Sequence, residues 1–179
     1  MLKLALSITP FIFAFLVIYG ALSDLSTFRI PNWVSYGLVV LFALQTFLVW
    51  LDTPFMPTLG GWRMPSYTFN ILVALMVFIV SMVFWKMRVI GGGDAKYLTA
   101  TSLWMGIANA APFVILLTVL AAVMALSLKL ASQWSFLVHG SRLPTVVKRL
   151  FSKVAENKLP YGFPIGLAAL IMLPRIFGL

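Results

Sequence analysis

The sequence predicts an all-α polytopic membrane protein: a bundle of about six transmembrane helices plus a cytoplasmic amphipathic helix. Three observations predict it. Of 179 residues, 62% are hydrophobic and only 9% are charged, against about a quarter charged in soluble domains. The apolar residues fall in long uncharged runs, near the roughly 20 residues that cross a bilayer. The basic residues gather in alternate connections between those runs, as they do in loops on the cytoplasmic side. There is no cysteine, which excludes disulfides and cysteine-ligated zinc. The net charge of +9 fits cytoplasmic loops better than nucleic-acid binding, which is not expected. One domain, 1–179, is expected.

The first span covers about 4–22. Lys3 ahead of it is reminiscent of a signal peptide, but 19 uncharged residues exceed the roughly 7–15 of a signal h-region. A polar turn, 23–32, comes next. Trp33 is an interfacial anchor for a second span at about 34–51. Residues 52–68 contain Pro54, Pro57, Gly60, Gly61 and Pro65 and read as an irregular loop. The third span covers about 69–85, and a turn with three glycines, 86–96, succeeds it.

From Tyr97 to Leu128 there are 32 residues without a charge, too many for one ordinary span. Gly106, Asn109 and Pro112 mark a reversal near the middle. The stretch therefore divides into a short fourth span, about 95–108, and a fifth, about 112–133. A long polar segment comes next. Within it, 143–159 places Leu143, Val147, Leu150 and Val154 on one helical face among basic residues, a pattern that lies on an anionic leaflet. The sixth span covers about 161–177.

Charge supports this division. Six crossings put ten of the basic residues on one side, and only Lys3, Arg63 and Arg175 on the other. The first side is then cytoplasmic and both termini extracytoplasmic. Two crossings separate Asp24 from Asp94, so both are expected at the cytoplasmic face. They are two of only four acidic residues in the chain. Asp52 falls on the opposite side, in the proline-rich loop.

A carboxylate at the edge of hydrocarbon is costly and points to function. Two on one side of a membrane suit acid/base chemistry, in which one ionised and one protonated group activate water and polarise a carbonyl. The single histidine, His139, stands in an irregular segment and is not a catalytic candidate. Gly91, Gly92 and Gly93 before Asp94 read two ways. They allow unusual backbone conformations and a close approach of a second chain, or they form a tight turn in which Asp94 caps the next helix. Lys96, two residues from Asp94, points to a different helical face and is not expected to pair with it. Arg29 suits lipid phosphate or the first loop, and Pro31 and Asn32 shape the entry to the second span. A non-enzymatic polytopic protein, such as a small transporter or a pilus-assembly scaffold, is the alternative reading.

At these residues the chain resembles the type IV prepilin peptidase family of membrane aspartic peptidases. The resemblance rests on Asp24 ahead of Ile30-Pro31-Asn32, on Gly91-Gly92-Gly93-Asp94 with Lys96, and on Pro160-Tyr161-Gly162 before the last span. It implies that Asp24 and Asp94 are the catalytic pair, that no metal or other cofactor is used, and that prepilin or pseudopilin leaders are cut at the cytoplasmic face of the inner membrane. Larger members carry paired cysteines and methylate the new N-terminus. The short first cytoplasmic loop and the lack of cysteine make this chain most similar to the small, peptidase-only members that serve tight-adherence pili, and archaeal preflagellin peptidases are also similar.

Overall fold

The computed structural model describes residues 2–52, 58–59, 62–63, 66–135 and 159–178. Helices α1 (Leu2–Thr27), α2 (Asn32–Asp52), α3 (Ser66–Lys86), α4 (Gly92–Ser102), α5 (Gly106–Ser135) and α6 (Gly162–Phe177) make up nearly all of it. Among the described residues the one ladder is a two-residue antiparallel pair between α2 and α3, joining Thr58 with Arg63 and Leu59 with Trp62. The amphipathic segment expected at 143–159 lies outside the described residues except for Leu159, and His139 lies outside them too.

Four helices, α1, α2, α3 and α5, are long and apolar enough to cross a membrane. Helix α6 is a shorter apolar helix of 16 residues. Helix α4 has only 11 residues, about 16 Å at 1.5 Å per residue, roughly half the hydrocarbon thickness. In place of the short fourth span expected over 95–108 stands the 11-residue helix α4.

The reversal also falls earlier than Asn109 and Pro112. Helix α4 ends at Ser102, the chain turns through Leu103, Trp104 and Met105, and α5 begins at Gly106 with φ +60°. Two features set this position. Gly106 takes a left-handed conformation that a side chain disfavours, and Asn70 of α3 donates its amide to the Leu103 carbonyl at 3.0 Å. Pro112 sits inside α5, where it forfeits a single intrahelical bond.

Helix packing traces a ring, α1–α2–α4–α3–α5–α6 and back to α1, with α4 also reaching α6. The core lies between α1, α2, α4 and α6. Phe13, Val17, Val34, Leu38, Tyr97 and Ala168 are all buried there. Trp104 anchors one end of it against Phe13, Phe42 and Phe177, with ring centroids 4.9, 5.5 and 5.6 Å away. Its indole N–H donates to the Leu38 carbonyl at 3.2 Å, so a buried donor is satisfied. The outer faces carry exposed Phe, Ile, Leu and Val on every long helix, as expected where lipid rather than water is the surrounding solvent.

Candidate active site

Asp24 does not lie in a turn beyond the first span. Helix α1 runs on to Thr27 and carries Asp24 in its final turn. The polar run that suggested a loop instead bonds back to the helix. Ser26 and Thr27 donate to the Ser23 carbonyl at 3.1 and 2.8 Å. Such back-bonding lets a polar run continue as helix. Phe28, at φ 55°, then ends it, and its N–H donates to the Asp24 carbonyl at 2.8 Å. A left-handed phenylalanine is strained. Two side-chain bonds hold it in place: the Ser23 and Thr27 hydroxyls both donate to the Arg29 carbonyl, at 2.9 and 3.2 Å. The bend delivers Ile30 into the core, where it is buried, while the Arg29 side chain stays exposed.

Asp94 is positioned by the glycine turn. Gly91 is the N-cap of α4 with an ordinary extended backbone, and none of the three glycines has positive φ. Their importance is clearance, not unusual dihedrals. A Cβ on Gly91 would lie 2.9 Å from Asp94 Oδ2, and one on Gly92 would lie 3.2 Å from the Trp85 indole nitrogen. Gly93 faces the Ile30 backbone, with room for 3.7 Å contact to its carbonyl. Asp94, third residue of the helix, accepts the Gly91 N–H at 3.2 Å, which satisfies one of the free donors at a helix start. The helix-cap reading of Asp94 thus holds, and the second chain that approaches the glycines is the loop at Ile30. Burial pushes the half-buried Asp94 carboxyl up to about 6, against the opposing pull of the Gly91 N–H.

The start of α6 completes the site. Gly162 N–H donates to Asp24 Oδ2 at 2.7 Å, a short bond of the kind made to carboxylates. Asp24 is only 3% exposed. A Cβ on Gly162 would come within 2.6 Å of Ile30 Cδ1 and 2.8 Å of Asp24 Cβ, so nothing larger than glycine fits. The Asp24 and Asp94 carboxylates are within electrostatic reach of each other.

Tyr97, one turn beyond Asp94 on α4, ties the same three helices together below the acids. It is fully buried, and its hydroxyl donates to the Val17 carbonyl of α1 at 2.9 Å. Gly20 of α1 and Gly166 of α6 make room for its ring, since a Cβ at either would lie 3.0 or 3.1 Å from it.

The structure therefore brings together Asp24, Asp94 and the glycine turn, with the Ile30-Pro31-Asn32 segment beside them. Lys96 is exposed and donates to the Asn32 side-chain oxygen at 3.3 Å, away from an Asp94 pair, and it tethers α4 to the start of α2. Three contributors are not evident from the residues alone. Tyr97 reads as ordinary aromatic packing, and Ile30 and Gly162 stand out only as parts of motifs. Among the described residues no group of three or more His, Cys, Asp or Glu is placed to hold a metal ion.

A family model described as the type IV leader peptidase family matches residues 11–126. That segment holds well over half of the chain, including both aspartates and the glycine turn. Neither a curated protein nor a solved structure matches.

Proposed function

Because this chain belongs to the type IV leader peptidase family, we propose that it is an aspartic endopeptidase whose working groups are the Asp24 and Asp94 carboxyls. Its substrates are prepilins or pseudopilins, cut behind the leader at the cytoplasmic face of the inner membrane. The observation that carries this reading is convergence. Two acids far apart in sequence stand at the ends of α1 and α4 within electrostatic reach of each other, and the first N–H of α6 fixes one of them.

Chemically, the pair shares one proton. The ionised carboxyl takes a proton from water as the water oxygen bonds to the scissile carbonyl carbon. The protonated carboxyl gives its proton to the carbonyl oxygen. The tetrahedral intermediate then collapses, the C–N bond breaks, and the leaving nitrogen takes up a proton. One water is consumed, and a new carboxyl and a new amine are formed. Two nearby carboxylates resist ionising together, and partial burial strengthens that resistance. Asp94 is held above an ordinary aspartate, which favours a pair that carries a single proton. The chain acts as a peptidase alone: it lacks the paired cysteines carried by the larger, methylating members of the family. A transporter more often sets its ionisable groups near mid-membrane, whereas Asp24 and Asp94 stand at helix ends.

The test is cleavage of a prepilin-type substrate by purified protein in detergent, beside Asp24→Asn and Asp94→Asn. The parent cuts and neither variant does. Cleavage by a well-folded variant would remove that residue from the pair.

A further inference from the structure

A cavity of about 380 Å³ opens beside Asp94, walled by α3, α4, α5 and α6. Its size is at the low end for small-ligand sites, which run from about 300 to 1,000 Å³. It can take a few side chains but not a whole helix. Among the described residues Asp94 is its one charged lining group, with Leu98, Leu117, Ala121, Ala125 and Tyr161 among the rest. The Thr118 hydroxyl in the same wall donates to the Val114 carbonyl at 2.7 Å, so it offers little to a ligand. Asp24 does not line the cavity. The space therefore approaches the acid pair from the Asp94 side only.

We infer that this cavity is a substrate subsite: it receives the apolar side chains on one side of the cut bond, and the α5 wall sets which side chains fit. The inference rests on the peptidase reading above. Three observations carry it. The occupant of the cavity lies against Asp94, as a residue next to the reacting bond must. Apart from the Thr118 and Tyr161 hydroxyls the remaining lining is apolar, so it rewards burial of hydrocarbon and rejects charge. The wall recedes because alanines recur four apart at positions 121 and 125. That spacing puts them on one face of the helix, where larger residues would close the space.

The test is a substrate series in which the residue on each side of the cut bond is varied through Ala, Leu and Phe. The parent is expected to prefer Leu or Phe over Ala by at least about 10-fold in kcat/KM at one of the two positions, the usual scale for filling an apolar pocket. Ala121→Phe, and separately Ala125→Leu, fill the cavity and shift that preference toward Ala, at the same position only. Leu117→Ala enlarges it and shifts the preference toward Phe. Melting curves in detergent identify any variant that fails to fold, and the other two then carry the comparison. The inference is overturned if the parent shows no preference, if the folded variants rank the series as the parent does, or if they lose activity uniformly. An acyl chain filling the cavity gives the second of these results. Failure of the underlying reading looks different: cleavage then survives in Asp24→Asn and Asp94→Asn.

Discussion

Replacing Gly162 by alanine is the most direct probe of how the site is held. The added methyl would stand 2.6 Å from Ile30 Cδ1, 2.8 Å from Asp24 Cβ and 2.9 Å from Asp24 Oδ2. The isoleucine tip can rotate away. Asp24 Cβ cannot, because it is fixed to the backbone of α1, so α1 and α6 must part. Restoring an ordinary carbon–carbon separation of about 3.5–4.0 Å takes roughly 1 Å. Overpacking of this kind costs about 1–3 kcal/mol of stability. The same shift stretches the 2.7 Å bond from Gly162 to Asp24 and displaces one member of the acid pair by a similar amount. A misplacement of about 1 Å at a reacting group costs about 100-fold in rate. The assay is leader cleavage by Gly162→Ala in detergent, run with a thermal melt. Gly166→Ala is the comparison, because its methyl would meet Ala21 Cβ at 2.7 Å but no carboxylate. Both variants should melt lower, and Gly162→Ala should lose far more activity than Gly166→Ala. Activity within about 3-fold of the parent in Gly162→Ala would refute the reasoning.

The other expectations concern charge and packing. Asp94 titrates at about 6 when folded against 3.8 as a free side chain. Between those values the folded state holds the extra proton, so stability falls as pH rises from about 4 to 6, by at most about 3 kcal/mol at 1.36 kcal/mol per unit. Asp94→Asn should remove that slope, and parallel melting curves for parent and variant across this range would contradict it. Tyr97→Phe keeps the ring but drops the bond to the Val17 carbonyl, costing about 1 kcal/mol; Tyr97→Ala empties a buried aromatic site and costs about 3–5 kcal/mol. Denaturation in detergent ranks the two. Lys96→Ala breaks a tether to Asn32 and no pair with Asp94, so the low-pH side of the activity profile should stay where it is in the parent.

The membrane character and the positions of the long helices were legible in the sequence because hydropathy is additive along a chain. The approach of the two acids was legible in outline because their motifs sit at helix ends. What was not legible depends on partners distant in sequence or on polar groups answering local backbone. The run of Ser23, Ser26 and Thr27 looks like a loop by composition, yet its hydroxyls return to nearby carbonyls and extend α1 past Asp24. Asn109 and Pro112 are stronger turn signals than Leu103 and Trp104. The turn forms at the latter pair because Gly106 can go left-handed and Asn70 reaches across from α3. The glycines before Asp94 read as unusual dihedrals or as clearance for a second chain, and the packed structure shows that Gly91 and Gly92 give room to the carboxylate and to Trp85, while Gly93 makes ordinary contact with Ile30.

Asp24 stands near the negative pole of α1, the end of a helix that repels an anion. It faces the positive pole of α6, which begins at Gly162, beyond the stretch 11–126 that identifies the family. The last helix is thus the counterweight to the first: a chain cut short after α5 would keep both acids and the glycine turn, yet leave Asp24 facing only the pole that opposes its charge.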